Sequence, residues 1–154
     1  MMISTFIQTL LKSTGGYAAF ILRVPVGLIL AAHGAQKLFG WFGGYGLEGT
    51  GQWMASIGLE PGYLMALMSG SAEFFGGLAL ALGLLTRPAA LVTAFTMLIA
   101  IFSVHFSNGL FMSNNGYEYA LTLLVVTLAL TVQGAGRFAL DNALLAYFDN
   151  KKAS

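Results

Sequence analysis

Two histidines, a lysine and a glutamate in or beside apolar stretches of this sequence have side chains that could support chemistry. His33 and Lys37 lie four residues apart, which places both on one face of a helix. His105 and Glu118 each lie at one end of a later apolar stretch. Imidazole and ammonium groups can donate hydrogen bonds to a bound molecule, a carboxylate can accept them, and all three can exchange protons with it. His33, Lys37, His105 and Glu118 are therefore the candidate ligand-binding residues.

The rest of the chain is too apolar for a water-soluble monomer. Of its 154 residues, 57% are hydrophobic and 8% are charged, and the mean hydropathy is +0.78, whereas soluble domains carry about 25% charged residues. A net charge of +1 provides no field that would attract nucleic acid. The chain has no cysteine, which excludes disulfides, iron–sulfur clusters and dithiol redox centres within it. The composition indicates a small integral membrane protein.

Membrane-spanning helices account for most of the apolar sequence. A spanning helix needs about 20 mostly apolar residues, and none of the long stretches alternates with the period of two that strands require. The sequence therefore predicts an all-α fold, an integral membrane four-helix bundle that forms a single domain over residues 1–154. The predicted spans are about 18–39, 64–85, 89–106 and 117–133.

The basic residues predict the orientation of the bundle. Four spans place both termini on one face, and cytoplasmic faces carry the excess of lysine and arginine. The opposite face has only Lys37, so both termini are predicted to be cytoplasmic. The two ends, about 1–12 and 138–148, have apolar residues at helical spacing and are predicted to be amphipathic interfacial helices. The basic residues on the terminal face are Lys12, Arg87, Arg137, Lys151 and Lys152.

Arg23 and Glu73 form the deeper of two predicted polar layers. From the span centres, Arg23 lies about 8 Å to the cytoplasmic side of the midplane and Glu73 lies close to it. An isolated charge is costly at that depth and normally has a partner. Arg23 and Glu73 are therefore a candidate buried ion pair, and a functional role for the Glu73 carboxylate remains the alternative.

The second polar layer lies towards the outer face. His33, Lys37, His105 and Glu118 come from three different spans but lie at similar depths, roughly 8–14 Å from the midplane. Their convergence favours a polar cavity open to the outside, and a Lys37–Glu118 clasp between the first and fourth spans is the alternative. No HxxxH, HxxE or ExxH spacing places two ligands on one helical turn, so no metal site is expected.

Three sequence strings in this order resemble the DoxX family of small four-helix bacterial inner-membrane proteins. They are HGAQKLFGWFGGYGLEGTGQWM (His33–Met54), AEFFGGLALALGLLTRPAAL (Ala72–Leu91) and NNGYEYALTLL (Asn114–Leu124). The resemblance covers residues 20–144 and implies a multi-pass protein of the bacterial inner membrane. It also implies kinship with the membrane subunit of thiosulfate:quinone oxidoreductase and a redox function linked to quinones or thiols. The residues that match the family strings are His33, Gly34, Lys37, Glu73, Gly76, Gly77, Asn115, Gly116 and Glu118.

The resemblance and the outer polar layer together favour a redox-associated membrane subunit that binds a quinone or a similar small amphipathic molecule. His33, Lys37 and His105 would donate hydrogen bonds to its carbonyl oxygens, and Glu118 would accept a proton on reduction. The sequence contains no evident electron carrier, so a soluble redox partner is expected to deliver electrons. If the protein is enzymatic, it is then a subunit of a quinone-linked oxidoreductase.

Two further hypotheses use the same polar layer differently. In the first, the protein is a carrier or exporter of a small solute; four helices are few for a transporter, so a homo-oligomer would be expected. In the second, it is a structural membrane subunit. Quinone that co-purifies with the protein would favour the redox hypothesis, and solute flux into proteoliposomes without quinone would favour the carrier.

Overall fold

The computed structural model describes residues 2–153, and it describes side chains from residue 6 to residue 150. Within that part of the chain all regular structure is helical. A π-helical turn at Ile101–His105 and a 3₁₀ turn at Phe106–Asn108 prolong the fifth helix. The α-helices are α1 (Met2–Leu11), α2 (Gly16–Phe39), α3 (Gly46–Ser56), α4 (Gly62–Leu82), α5 (Thr86–Ala100), α6 (Glu118–Gln133) and α7 (Leu140–Ala153).

Three helical segments are long and apolar enough to cross a membrane. They are Gly16–Phe39, Gly62–Leu82 and Thr86–Asn108, and they correspond to the first three predicted spans. The fourth predicted span forms α6, an apolar helix of 16 residues that is about 24 Å long. The prediction of an all-helical membrane protein is confirmed, while the number of four spans stays a prediction because α6 is shorter than about 20 residues.

The long helices run antiparallel and pack around a common core. α2 packs along α4, α5 contacts both α4 and α6, and α6 also contacts α2. The short helix α3 lies against α2 and α4 at the end opposite the chain termini. At the terminal end α1 contacts α5 and α7. The predicted interfacial ends thus contain helices, although Met1 lies outside the described residues.

Glycines allow α2 and α4 to approach closely. A Cβ atom added to Gly27 would lie 2.5 Å from the Gly77 carbonyl oxygen, and one added to Gly34 would lie 2.7 Å from the Gly70 carbonyl oxygen. Small residues at such spacing let two helices come into backbone contact, which is how helices commonly associate in lipid. The close contact brings the side chains of α2 within reach of the backbone and side chains of α4.

A buried aspartate from α7 holds the start of α5. The Asp141 carboxylate accepts hydrogen bonds from the Leu85 and Thr86 backbone N–H groups at 2.6 and 2.9 Å, and the Asp141 side chain is fully buried. An anionic group at a helix N-terminus satisfies free N–H groups and interacts well with the helix dipole. The segment predicted as an interfacial tail therefore also caps a core helix.

The glycine contact between α2 and α4 leads to a stability prediction. Gly77→Ala places a Cβ atom 2.5 Å from the Ala31 backbone nitrogen, so the two helices must separate. We expect a loss of about 1–3 kcal/mol, the usual cost of overpacking, measured by thermal unfolding in detergent. Val125→Ile adds carbon to an exposed position of α6 and should leave the melting temperature unchanged. Equal melting temperatures for both variants would contradict the contact.

Candidate functional site

Arg23 is buried near the terminal end of α2 and is bonded entirely to backbone. Its Nε donates to the Ala135 carbonyl at 2.8 Å, Nη1 donates to the carbonyls of Leu80 and Ala81, and Nη2 donates to two carbonyls of the loop after α6. A guanidinium has five N–H donors, and here each has a carbonyl acceptor. The two loop carbonyls are those of Arg137 and Phe138, at 3.1 and 2.6 Å.

The structure therefore replaces the predicted Arg23–Glu73 pair with two separate arrangements. Arg23 bonds to Leu80 and Ala81, which lie about 10 Å further along α4 than Glu73. At that level α4 ends, and the last carbonyls of a helix have no partner within the helix. They carry the negative end of the helix dipole, so they stabilise the guanidinium. The buried Asp141 carboxylate adds a favourable electrostatic interaction without a hydrogen bond to Arg23.

Glu73 pairs instead with Lys37, across the interface between α2 and α4. Lys37 Nζ donates a short hydrogen bond to Glu73 Oε1. The Glu73 side chain is 2% exposed and that of Lys37 is 27% exposed. The Lys37 stem passes over Gly70, where an added Cβ would lie 3.2 Å from Lys37 Cβ. The missing side chain of Gly70 thus leaves room for the lysine to reach inward.

The second oxygen of Glu73 is buried without a hydrogen-bond partner among the described residues. A buried carboxylate oxygen normally has at least one donor, so an orphaned one requires an explanation. Lys37 Nζ has three N–H donors and one acceptor in the described part of the chain. Glu73 can therefore accept a further hydrogen bond, and Lys37 can donate further ones.

His105 is held by the loop that follows α5. Its Nδ1 lies 2.8 Å from the Asn115 carbonyl oxygen, and because a carbonyl only accepts, Nδ1 must carry a proton. In the neutral ring Nε2 is then an acceptor. The π-helical turn at Ile101–His105 sets the direction of this residue, and such turns often occur at functional sites. Asn115 itself adopts a left-handed conformation with φ of 58°.

Glu118 is the first residue of α6, directly after this loop, and it is not grouped with His33, Lys37 and His105. Its Oε1 accepts a hydrogen bond of 2.6 Å from the Met112 backbone N–H, and its own N–H donates to the Leu110 carbonyl. The structure thus shows neither the Lys37–Glu118 clasp nor Glu118 on the cavity wall. The reason is the phase of α6, in which the next residue, Tyr119, faces the cavity instead.

A cavity of about 720 Å³, called here the main cavity, lies between α2, α3, α4, α5 and α6. It brings together three of the four candidate residues of the outer layer, and Tyr119 lies beside His33 with 6.0 Å between the ring centroids. Apolar side chains such as Ile99 and Val104 form much of the remaining wall. The polar and aromatic residues that line it are His33, Lys37, Trp53, Ser69, Thr96, Ser103, His105, Asn115 and Tyr119.

A second pocket adjoins the main cavity at the loop end of the molecule. This loop pocket has a volume of about 540 Å³ and shares His33, Lys37 and Trp53 with the main cavity. Its other walls come from the end of α2 and from residues 43–50, where Tyr45 is 84% exposed. The loop pocket gives the candidate residues a route to the loop face of the protein.

Sequence reasoning missed two cavity residues that carry polar groups on aromatic rings. Tyr119 follows Glu118 within the string NNGYEY. The sequence shows this motif but does not show which of the two residues the rotation of α6 turns towards the cavity. Trp53 lies within the string HGAQKLFGWFGGYGLEGTGQWM, and α3 brings it onto the cavity wall. Neither residue could be placed there without the packing of α3 and α6.

Apolar helices of spanning length around a polar cavity define a helical membrane protein with direct bilayer contact. Comparison with known protein families identifies the family of this membrane protein. The model of the DoxX family matches residues 18–106, and the chain belongs to this family. The matched region contains nearly all of α2, all of α3, α4 and α5, and the π-helical turn that follows. It therefore includes His33, Lys37, Glu73 and His105.

Relatives over most of the chain include two named bacterial proteins. "Putative oxidoreductase CatD" of Bacillus subtilis is 38% identical over 121 residues, covering 79% of this chain and 82% of the relative. "Inner membrane protein YqjF" of Escherichia coli is 38% identical over 128 residues, covering 77% of this chain and 92% of the relative. An uncharacterized protein of Haemophilus influenzae is 33% identical over 82% of this chain and 90% of its own length. No solved structure matches the chain.

The carbonyl cluster around Arg23 leads to a prediction about charge and shape. Arg23→Lys keeps the charge but offers one nitrogen, which cannot reach carbonyls on both α4 and the loop after α6. We expect a loss of about 2–5 kcal/mol, because buried carbonyls lose their donors, measured by thermal unfolding in detergent. Arg87→Lys is the control, because Arg87 is partly exposed and bonds two carbonyls. A loss for Arg23→Lys no larger than for Arg87→Lys would contradict this account.

Proposed function

We propose that this DoxX-family membrane protein binds a quinone or a similar small amphipathic molecule in the main cavity, as the membrane subunit of a quinone-linked oxidoreductase. The observation that carries the proposal is the convergence of His33, Lys37 and His105 on one cavity of about 720 Å³ with apolar walls. Ligand sites are typically apolar cavities of this size with a few placed polar groups. The oxidoreductase named among the relatives is consistent with such a role.

The residues of the main cavity fit the requirements of a quinone headgroup. Its carbonyl oxygens need hydrogen-bond donors, and its ring needs apolar or aromatic surface. Lys37 has N–H donors beyond the one used by Glu73, and the His33 ring has no hydrogen-bond partner among the described residues. Tyr119 and Trp53 offer ring surface beside these donors. His105, predicted as a donor, would in its neutral form act as an acceptor through Nε2.

The Lys37–Glu73 pair supplies the proton chemistry in this proposal. A bound quinone accepts two electrons and two protons on full reduction. Lys37 holds a proton on Nζ at the cavity wall, and Glu73 holds the lysine in place. Because reduction consumes protons, Lys37 would donate one of the two from Nζ, and solvent water reaching the loop pocket would supply the other. The proton-acceptor role assigned to Glu118 in the sequence is therefore not carried over. Electrons would come from a soluble redox partner, since the chain has no cysteine or evident electron carrier.

The proposal includes four spans, with both termini in the cytoplasm of a bacterial cell. α6 would complete the bundle as a short span, because a bilayer adapts to a short helix by local thinning. The named inner-membrane relative supports this location. In this orientation the main cavity lies in the outer half of the membrane and the Arg23 cluster lies in the cytoplasmic half.

A carrier for a small solute is the second candidate, and the loop pocket favours it. That pocket joins the main cavity at the loop face, as a binding site reached from water would require. Reconstituted protein would then move solute across proteoliposomes in the absence of quinone. Such flux, together with no quinone binding, would favour the carrier over the redox subunit.

Quinone binding can be followed through the tryptophan of the cavity wall. A Trp41→Phe background leaves Trp53 as the single tryptophan, and a tail-less ubiquinone headgroup should quench its fluorescence on binding. We expect His33→Leu to weaken binding by about tenfold or more, since one hydrogen bond to a polar ligand group contributes about 1.5 kcal/mol. Stability should change little because His33 is exposed and makes no hydrogen bond to the described residues.

Gln52→Leu is the matched control for this titration. Gln52 is exposed on α3, and neither the main cavity nor the loop pocket is lined by it. Its replacement should leave the headgroup affinity unchanged. Equal binding by the His33→Leu and Gln52→Leu proteins would remove the main cavity as the headgroup site.

The topology is tested by reporter fusions in bacterial cells. Fusions after Lys152 and in the turn at Arg87 should report the cytoplasm, and a tag within residues 48–51 should report the outer side, because the basic residues lie on the terminal face. A cytoplasmic signal from residues 48–51 would place the main cavity in the inner half of the membrane and would refute the proposed orientation.

A further inference from the structure

A groove between α4 and α5 adjoins the main cavity along the outer surface of the helices. It has a volume of about 640 Å³ and is almost entirely apolar. From Met65 to Ala79 it follows α4 for about 21 Å, and on α5 it reaches Pro88 near the terminal end. This groove is called the α4–α5 groove.

The α4–α5 groove and the main cavity share part of their walls, so the two spaces are neighbours at the outer end of the helices. Ser69 of α4 and Thr96 of α5 belong to both, and they mark the place where polar lining gives way to apolar lining. The residues common to both spaces are Met54, Leu59, Ser69, Thr96 and Ile99.

The side of the α4–α5 groove away from the protein faces the bilayer. Phe75 and Phe95, one on each helix, are each 61% exposed, and Val92 is 50% exposed. Small residues, among them Ala72 and Ala79, line it between these larger ones. A slot with small residues between two rows of bulky side chains has the shape that a single apolar chain fills.

We infer that the ligand of the main cavity carries a long apolar chain, which lies in the α4–α5 groove and through which the ligand enters from the bilayer. This inference rests on the proposed function and extends it, because it assigns the ligand to the lipid phase. The occupant is the chain of the same molecule whose polar headgroup meets His33 and Lys37. The shared wall at Ser69 and Thr96 is the reason for this choice over an independent lipid or a second copy of the protein.

The position of the chain can be measured by photo-crosslinking. The probe has a ubiquinone headgroup and a decyl chain that ends in a diazirine, and the labelled residues are mapped by peptide mass spectrometry in purified protein. We expect labels on α4 and α5 within the α4–α5 groove. Tail-less headgroup at about ten times its Kd should lower the labelling about tenfold by mass action. A decyl diazirine without a headgroup should label the groove without being displaced.

Ala79→Phe and Val125→Phe are the paired variants for this experiment. Ala79 lines the α4–α5 groove, whereas Val125 is exposed on α6 and lies outside it. We expect Ala79→Phe to lower the headgroup-dependent labelling of the groove about tenfold while the tail-less headgroup still quenches Trp53. Val125→Phe should label as the wild type does. If Ala79→Phe does not fold, Ala72→Leu narrows the same groove.

Two results would overturn the inference. Labels on residues 43–50 would place the chain in the loop pocket, and groove labels that the tail-less headgroup does not displace would make the groove an ordinary lipid contact. In both cases quenching of Trp53 by the headgroup would leave the proposed function standing. If the headgroup fails to quench Trp53 at all, the proposed function falls and the inference falls with it.

Discussion

The ion pair between Lys37 and Glu73 is the interaction on which the candidate site depends. A charge within a membrane protein is costly unless it has a partner or water, and Glu73 is 2% exposed. The pair forms because α2 and α4 meet through glycines, so that a lysine from the end of α2 can reach one turn inward. Close helix packing and a charged cavity wall are therefore two consequences of the same small residues. The second oxygen of Glu73 has no hydrogen-bond partner among the described residues, so it can still accept a hydrogen bond.

Arg23, at the other end of α2 and α4, is also a buried charge that needs partners, but its partners are of a different kind. Its donors are all taken by carbonyls from the end of α4 and the loop after α6. Nothing in that cluster is left for a ligand, whereas Lys37 and the ring of His33 retain unused hydrogen-bonding groups in the described structure. The Arg23 cluster is thus fully hydrogen-bonded, although the Thr86 hydroxyl at the same end of the molecule is buried without a partner among the described residues. The loop end, in contrast, combines unused polar groups with a cavity. The loop end therefore has the properties of a site for a polar headgroup.

The sequence was sufficient for features that depend on hydropathy and helical period. Segment length and apolarity predicted α2, α4 and α5, and the four-residue spacing placed His33 and Lys37 on one face. The sequence was insufficient where the position of a side chain depends on the rotation of its helix, or where its hydrogen-bond partners are backbone groups. One residue is about 100° of helix rotation, which decides that Tyr119 and not Glu118 lines the main cavity. The partners of Arg23 are carbonyls, which every residue has, so no side-chain pattern could indicate them.

We propose that the loop end of the molecule holds a small amphipathic ligand through His33 and Lys37. The decisive experiment is to extract the protein from its native membrane in mild detergent and to identify the retained small molecules by mass spectrometry. We expect a quinone or a molecule with a similar headgroup and chain, present at about one per protein chain in the wild type and lost from the His33→Leu protein purified in parallel. Retention of the same molecules in the same amounts by both proteins, or of phospholipid alone, would contradict it.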